Sequence, residues 1–241
     1  MRLLLAQLRA ELTVMLRNGE QLLLTLGIPV MLLAFFSVVD VLPTDTPQAV
    51  DFLAPGILAL AIMSTAMVGL GISTGFERSY LVLKRLGATP LGRGRLIAAK
   101  VGAVMMVELV QFGVLVPLAV LLGWQPDEIR WLPSIAAVLL GTAAFAGIGL
   151  AMAGRLRGEV NLAAQNGLYL VLLLLGGMII PLGRLPGALR AVAYALPSSA
   201  LADVLRDSLG GNGLRVASSW LVLSIWAAAT PVIASRLFRW W

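Results

Sequence analysis

Glu108 and Gln111 stand three residues apart inside a long apolar run, so one helical face carries both. A carboxylate at that depth costs about 2.5–3.5 kcal/mol on insertion scales, so it must face protein, water or a partner. Two chemistries fit: structural pairing with another helix, or a place on a translocation path. Asn161, Gln165 and Asn166 form a second polar cluster, with Asn161 and Gln165 one turn apart, the spacing that ties helices by amide hydrogen bonds. Glu108, Gln111 and Asn166 are the candidates for the path. Other chemistry is excluded by residue type. The 241 residues include no Cys and no His, which removes thiolate nucleophiles, disulfides, iron–sulfur clusters, Cys- or His-based metal sites and the Ser-His-Asp arrangement. No G-x-x-x-x-G-K-[ST] occurs, so the chain has no phosphate-cradling loop of that kind. No catalytic residue, metal site or resident cofactor is assigned, and the chain is not expected to be an enzyme.

The elements that must position these groups are apolar spans. The chain is 59% apolar and 12% charged, against roughly 25% charged in soluble domains. A spanning helix needs about 20 apolar residues, and six segments qualify: Gln21–Leu42, Phe52–Gly75, Val101–Gly123, Leu132–Ala153, Leu162–Leu182 and Val216–Ser235. The expectation is a single all-α membrane domain over residues 1–241. Thirteen of the 18 Lys and Arg fall on the side of the N-terminus, which places both termini in the cytoplasm. The basic balance then reports topology and anionic lipid headgroups, with no nucleic-acid partner. Asp40 sits near the outer end of the first span, within reach of the interface. The second span is rich in small residues and ends in a Gly71/Gly75 pair, which permits close helix contact within the chain or across a dimer seam.

Three stretches lie outside the spans. In residues 1–19, Leu4, Leu5, Leu8, Leu12, Met15 and Leu16 follow one helical face while Arg2, Arg9 and Arg17 supply a polar side, the pattern of an amphipathic interfacial helix. Residues 76–100 carry six Lys or Arg and one acid; Tyr80, Leu83 and Leu86 follow i, i+3, i+6, Lys84 and Arg85 stand beside them, and Gly87 and Pro90 stop the helix. That makes a short basic knob, either a headgroup-bound loop or a docking surface. Residues 183–215 are too apolar for a plain loop. Leu189, Val192, Ala193 and Leu196 form one stripe; Ser198 or Ser199 can cap a second helix after Pro197, and Gly210, Gly211 and Gly213 end it. Both pieces are too short to span and read as outer re-entrant helices.

Four stretches resemble the permease subunit of ABC-2 type transporters, the group that includes daunorubicin-resistance exporters: FLAPGILAL (Phe52–Leu60), LKRLGATPL (Leu83–Leu91), the run Arg155–Pro186, and AYALPSSALADVLR (Ala193–Arg206). Ser198 and Ser199 stand where the family often has a His. The resemblance implies a bacterial cell-membrane exporter of apolar or amphipathic substrates, drugs or lipids, working as a pair of permeases on a separate cytoplasmic ABC ATPase that binds ATP and magnesium. It implies that the N-terminal amphipathic helix and the loop Glu77–Arg93 contact that ATPase, with Glu77, Tyr80, Leu83, Lys84, Arg85 and Leu86 as the contact residues. A homodimer is the simpler pairing and a heterodimer the competing one. The other classes considered are a proton-coupled secondary carrier using Glu108 and a non-transporting membrane scaffold.

Overall fold

Small side chains decide which span occupies the centre. The computed structural model describes residues 2–39, 48–126, 128–210 and 215–237, and all regular structure among them is helical. Amphipathic α1 (Arg2–Arg17) leads into α2 (Gly19–Val38). Next, α3 (Ala49–Met63), a π-helical turn (Ser64–Gly69) and α4 (Leu70–Ser79) run on as one rod of 31 residues. The short α5 (Val82–Gly87) turns the chain into α6 (Arg93–Leu121), followed by α7 (Trp131–Ala153) and α8 (Gly158–Leu175). A kinked pair, α9 (Gly187–Ala193) and α10 (Pro197–Ser208), bends by 77° before α11 (Val216–Leu237). The Ala49–Ser79 rod, α6, α7, α8 and α11 are each long and apolar enough to cross a membrane, and α2 adds a shorter apolar stretch, Leu23–Val38. The chain is an all-α, multi-pass membrane protein.

The Ala49–Ser79 rod is almost wholly buried, because Gly, Ala, Ser and Thr along it let neighbouring backbones close in. Leu53, Ile57, Leu60, Ile62, Met63 and Met67 fill the gaps. Outer helices instead turn Leu, Val, Ile and Met outward: Met31 of α2, Leu121 of α6, Leu170 of α8 and Leu221 of α11 are all exposed, as a lipid-facing surface requires.

Four expectations shift. The third span begins earlier, at Arg93, because Gly92 takes φ +74° at the turn and the run after it is helix-forming; residues 93–100 are the first turns of α6 and not loop. The fifth span ends at Leu175 rather than Leu182, because Gly177 turns the chain at φ +64°. Neither Ser198 nor Ser199 caps α10: Pro197 occupies its first turn, and the Ser199 hydroxyl donates back to the carbonyls of Ala193 and Leu196. The apolar stripe of α1 divides: the side carrying Leu4, Leu8 and Met15 packs against α6, with Leu8 over Gly102, while Leu5 and Leu16 stay exposed. Asp40, Leu42, Gly211, Gly213 and Arg239 lie outside the described residues.

Candidate functional site

Beside the central rod runs a groove of about 500 Å³, walled by α2, the π turn with α4, and α8. Its polar groups are the side chains of Asn18, Thr25, Ser64, Ser73, Asn166 and Tyr169, set among Leu24, Ile28, Val68, Ile72, Phe76 and Leu162. No Asp, Glu, Lys or Arg lines it among the described residues. The π turn carries one residue more per turn than an α-helix, and it supplies Ser64, Val68 and Gly69 to this wall. Sequence reading missed the π turn, since the small-residue run that contains it is equally compatible with a straight helix.

The three path candidates separate. Asn166 lines the groove, with its amide donating to the Leu162 carbonyl of its own helix (3.0 Å). Gln111 is buried and spends both ends of its amide on structure: it accepts from Thr65 Oγ1 (3.0 Å) in the π turn and donates to the Thr25 carbonyl (2.8 Å) of α2. Glu108 is buried against α7, where Thr142 Oγ1 donates to its Oε2 (2.7 Å) and Oε1 has no hydrogen-bond partner among the described residues. Neither Glu108 nor Gln111 lines this groove; both make interhelical hydrogen bonds, the structural pairing that the sequence also allowed. They share a face in sequence, but the packing of α6 between α2, the rod and α7 covers that face completely.

Amides lock α8 to the centre. Asn161 Nδ2 donates to the Gly71 carbonyl (2.8 Å), and Gln165 Nε2 donates to the Gly149 carbonyl (3.0 Å). A Cβ at Gly71 would strike Gln165 and one at Gly75 would strike Asn161, so the glycine pair forms an in-chain seam. Gly149 lies so close to the Met67 carbonyl that a Cβ would stand 2.6 Å from its oxygen.

At the basic end of the bundle, Lys100 is 1% exposed and sits between two carboxylates. Its Nζ is 3.0 Å from Glu11 Oε2 on α1 and 2.7 Å from Glu77 Oε2 on α4. Gln7 Nε2 donates to the second oxygen of Glu11 (2.8 Å). Of the six proposed coupling residues, Tyr80, Lys84 and Arg85 are exposed, Leu86 is partly covered, and Glu77 and Leu83 point inward. The predicted Tyr80–Leu83–Leu86 stripe assumed one continuous helix. The chain instead breaks at Leu81, a leucine held at φ +59°, so α5 starts afresh and buries Leu83 beneath it. Exposed apolar surface on the knob comes from Tyr80, Leu81 and Val82. Its roots are tied to the start of α8: Arg78 donates to the Leu156 carbonyl (2.7 Å) and the Gly158 amide to Ser79 Oγ (3.1 Å).

At the opposite end Arg206 of α10 reaches back to the rod. Its guanidinium lies 3.8 Å from the Phe52 ring centroid and donates to the carbonyls of Gly177 (2.6 Å), Met178 (3.3 Å) and Phe52 (3.3 Å). Asp203 accepts from the Arg215 amide (3.0 Å) and Ser219 Oγ (2.8 Å), which joins α10 to α11. Arg130 pairs with Asp207 across the start of α7. In the sequence these arginines counted only toward charge balance.

Apolar spans surround an uncharged groove, and the ion pairs among the described residues join helices at the two ends, the build of a multi-pass membrane subunit. The sequence profile described as ABC-2 type transporter matches residues 2–209, and the chain belongs to that family. It is thus a permease component of an ABC transporter, and the family implies an ABC ATPase as its partner. No curated protein matches the chain in sequence.

Proposed function

We propose that the chain is the membrane subunit of an ATP-driven exporter for apolar or amphipathic molecules of the drug or lipid class. The observation that carries this reading is the groove: about 500 Å³, apolar with hydroxyl and amide groups, and without fixed charge. Such a lining binds an apolar body and orients a neutral polar end, whereas a charged metabolite would leave its charge unpaired. The groove is open along one side, which suits closure by a second copy of the chain, and two-fold homodimers are the common case. Positive-inside bias supports a cytoplasmic side for both termini and the α5 knob, and the family resemblance supports a bacterial cell membrane. There Tyr80, Leu81, Val82, Lys84 and Arg85 present apolar and basic surface to a soluble ATPase carrying ATP and magnesium. Nucleotide-driven closure of two ATPases would then rock the two permeases against each other.

The test is reconstitution in liposomes with a co-expressed ABC ATPase subunit, using a fluorescent phospholipid analogue and the uncharged dye Nile red as probes. ATP-dependent movement of either probe is expected only with both subunits, and Asn166→Leu with Ser73→Leu should reduce it by filling the groove. Movement by the lone chain driven by a proton gradient would sink the exporter reading.

A further inference from the structure

We infer that the Glu11–Lys100–Glu77 cluster registers the interfacial helix against the α5 knob, so that the two present one rigid, wholly basic surface to the ATPase. The inference rests on the ATPase-driven reading above, and what it adds is the ion-paired joint that holds the two contact elements in register. Glu11 lies near the middle of α1, Glu77 two residues before the end of the central rod, and Lys100 in the second turn of α6, so a single ammonium joins α1 to the helix that enters the knob and the helix that leaves it. The joint is specific in position. Sliding α1 by one residue would carry Glu11 round the helix and break its 3.0 Å pair with Lys100, leaving a largely buried carboxylate without its cation.

Charge arrangement gives the joint a second consequence. Glu11 is the sole acid between residues 2 and 17, and Glu77 the sole acid between residues 76 and 100. Lys100 draws both inward, which leaves Arg2, Arg9 and Arg17 on α1 and Lys84, Arg85, Arg93 and Arg95 around the knob as an outward face of one sign. That face complements an acidic patch on a soluble partner and steers its approach. Glu11, Glu77 and Lys100 are positioning residues: they touch neither substrate nor nucleotide.

The chain has no Cys, so two labels can be placed without background. Spin labels at Ala10→Cys and Ala88→Cys, both at exposed positions, in the full chain in nanodiscs should give one narrow distance distribution. Lys100→Met should abolish the narrow peak while the yield of monodisperse protein is kept. The variant Glu11→Gln/Glu77→Gln/Lys100→Met removes all three charges at similar volume, leaves no carboxylate stranded, and should lose the peak as well. A narrow peak retained in both variants, or in the triple variant alone, overturns the inference, because packing and not charge would then set the register. Capture of the co-expressed ATPase should fall in both variants. A wild-type chain with a narrow peak that binds no ATPase sinks the functional reading and leaves the joint standing. If Arg9→Glu with Lys84→Glu loses binding to phosphatidylglycerol vesicles but keeps the ATPase, the face is a headgroup anchor and the docking half is overturned.

Discussion

Replacing Arg206 by Met should open the turn after α8 without unfolding the bundle. The guanidinium holds three carbonyls and covers one ring. The 2.6 Å bond to the Gly177 carbonyl is of the charge-assisted kind worth about 2 kcal/mol. The two 3.3 Å bonds add about 0.5 kcal/mol each, and the stacking on Phe52 about 1 kcal/mol. Arg206 is only partly buried, so solvent screening and recovered hydration offset roughly half of that sum, leaving about 2 kcal/mol. A local opening equilibrium should therefore rise about 30-fold. Amide hydrogen exchange of residues 177–179 in nanodiscs reads this directly, while the interior of α7 should exchange as before. Arg206→Lys keeps the charge but loses the planar fork, and Phe52→Leu removes the ring; each should raise exchange about five-fold. A change below about three-fold in Arg206→Met would mean that packing of α10 alone holds the turn.

Gly149→Ala puts a Cβ 2.6 Å from the Met67 carbonyl oxygen and should cost about 1–3 kcal/mol, read as a lower unfolding midpoint in detergent. Gly167→Ala, with open space around its position, is the matched control and should not lower the midpoint. Glu108→Gln keeps an acceptor for the Thr142 hydroxyl and should leave ATP-driven transport within about three-fold; abolished transport would instead make Glu108 part of a proton path. Deleting Val68 shortens the π turn to an α turn while both flanking segments keep their faces. The Asn161–Gly71 seam should survive, and binding of a fluorescent phospholipid analogue to the groove should weaken.

Helix type and five of the six predicted spans were legible because apolar runs of about 20 residues have few other solutions; the first predicted span is a shorter apolar stretch among the described residues, Leu23–Val38. The kinked pair between the fifth and sixth spans was legible for the same reason, since each piece is apolar yet too short to cross. Interhelical roles for Asn161 and Gln165 were readable from their one-turn spacing inside an apolar run. What sequence periodicity could not carry was pairing at a distance. Lys100 sits 89 residues from Glu11, and Arg206 sits 154 residues from Phe52; neither separation leaves any trace in local pattern. The break at Leu81 was hidden too, because a leucine at φ +59° contradicts the ordinary preference of that side chain. Reading on through it placed Leu83 on a surface that the structure buries.

The rod of 31 residues from Ala49 to Ser79 is about 46 Å long, and its mechanics follow from where it is held. Arg206 grips its Phe52 end and Lys100 its Glu77 end. Between them, Gly71 and Gly75 lie against α8, and the Met67 backbone lies against Gly149 of α7, contacts of backbone on backbone or amide that have no slack. The flank left without such contact is the one facing the groove, and it is formed by the π turn and the start of α4. A π turn is the weaker hydrogen-bonded geometry in an otherwise α-helical rod. On the proposed reading, load applied at the knob would pass along α4 to residues 64–69, and a change of helix type there would alter the width of the groove while the pinned ends stay in place.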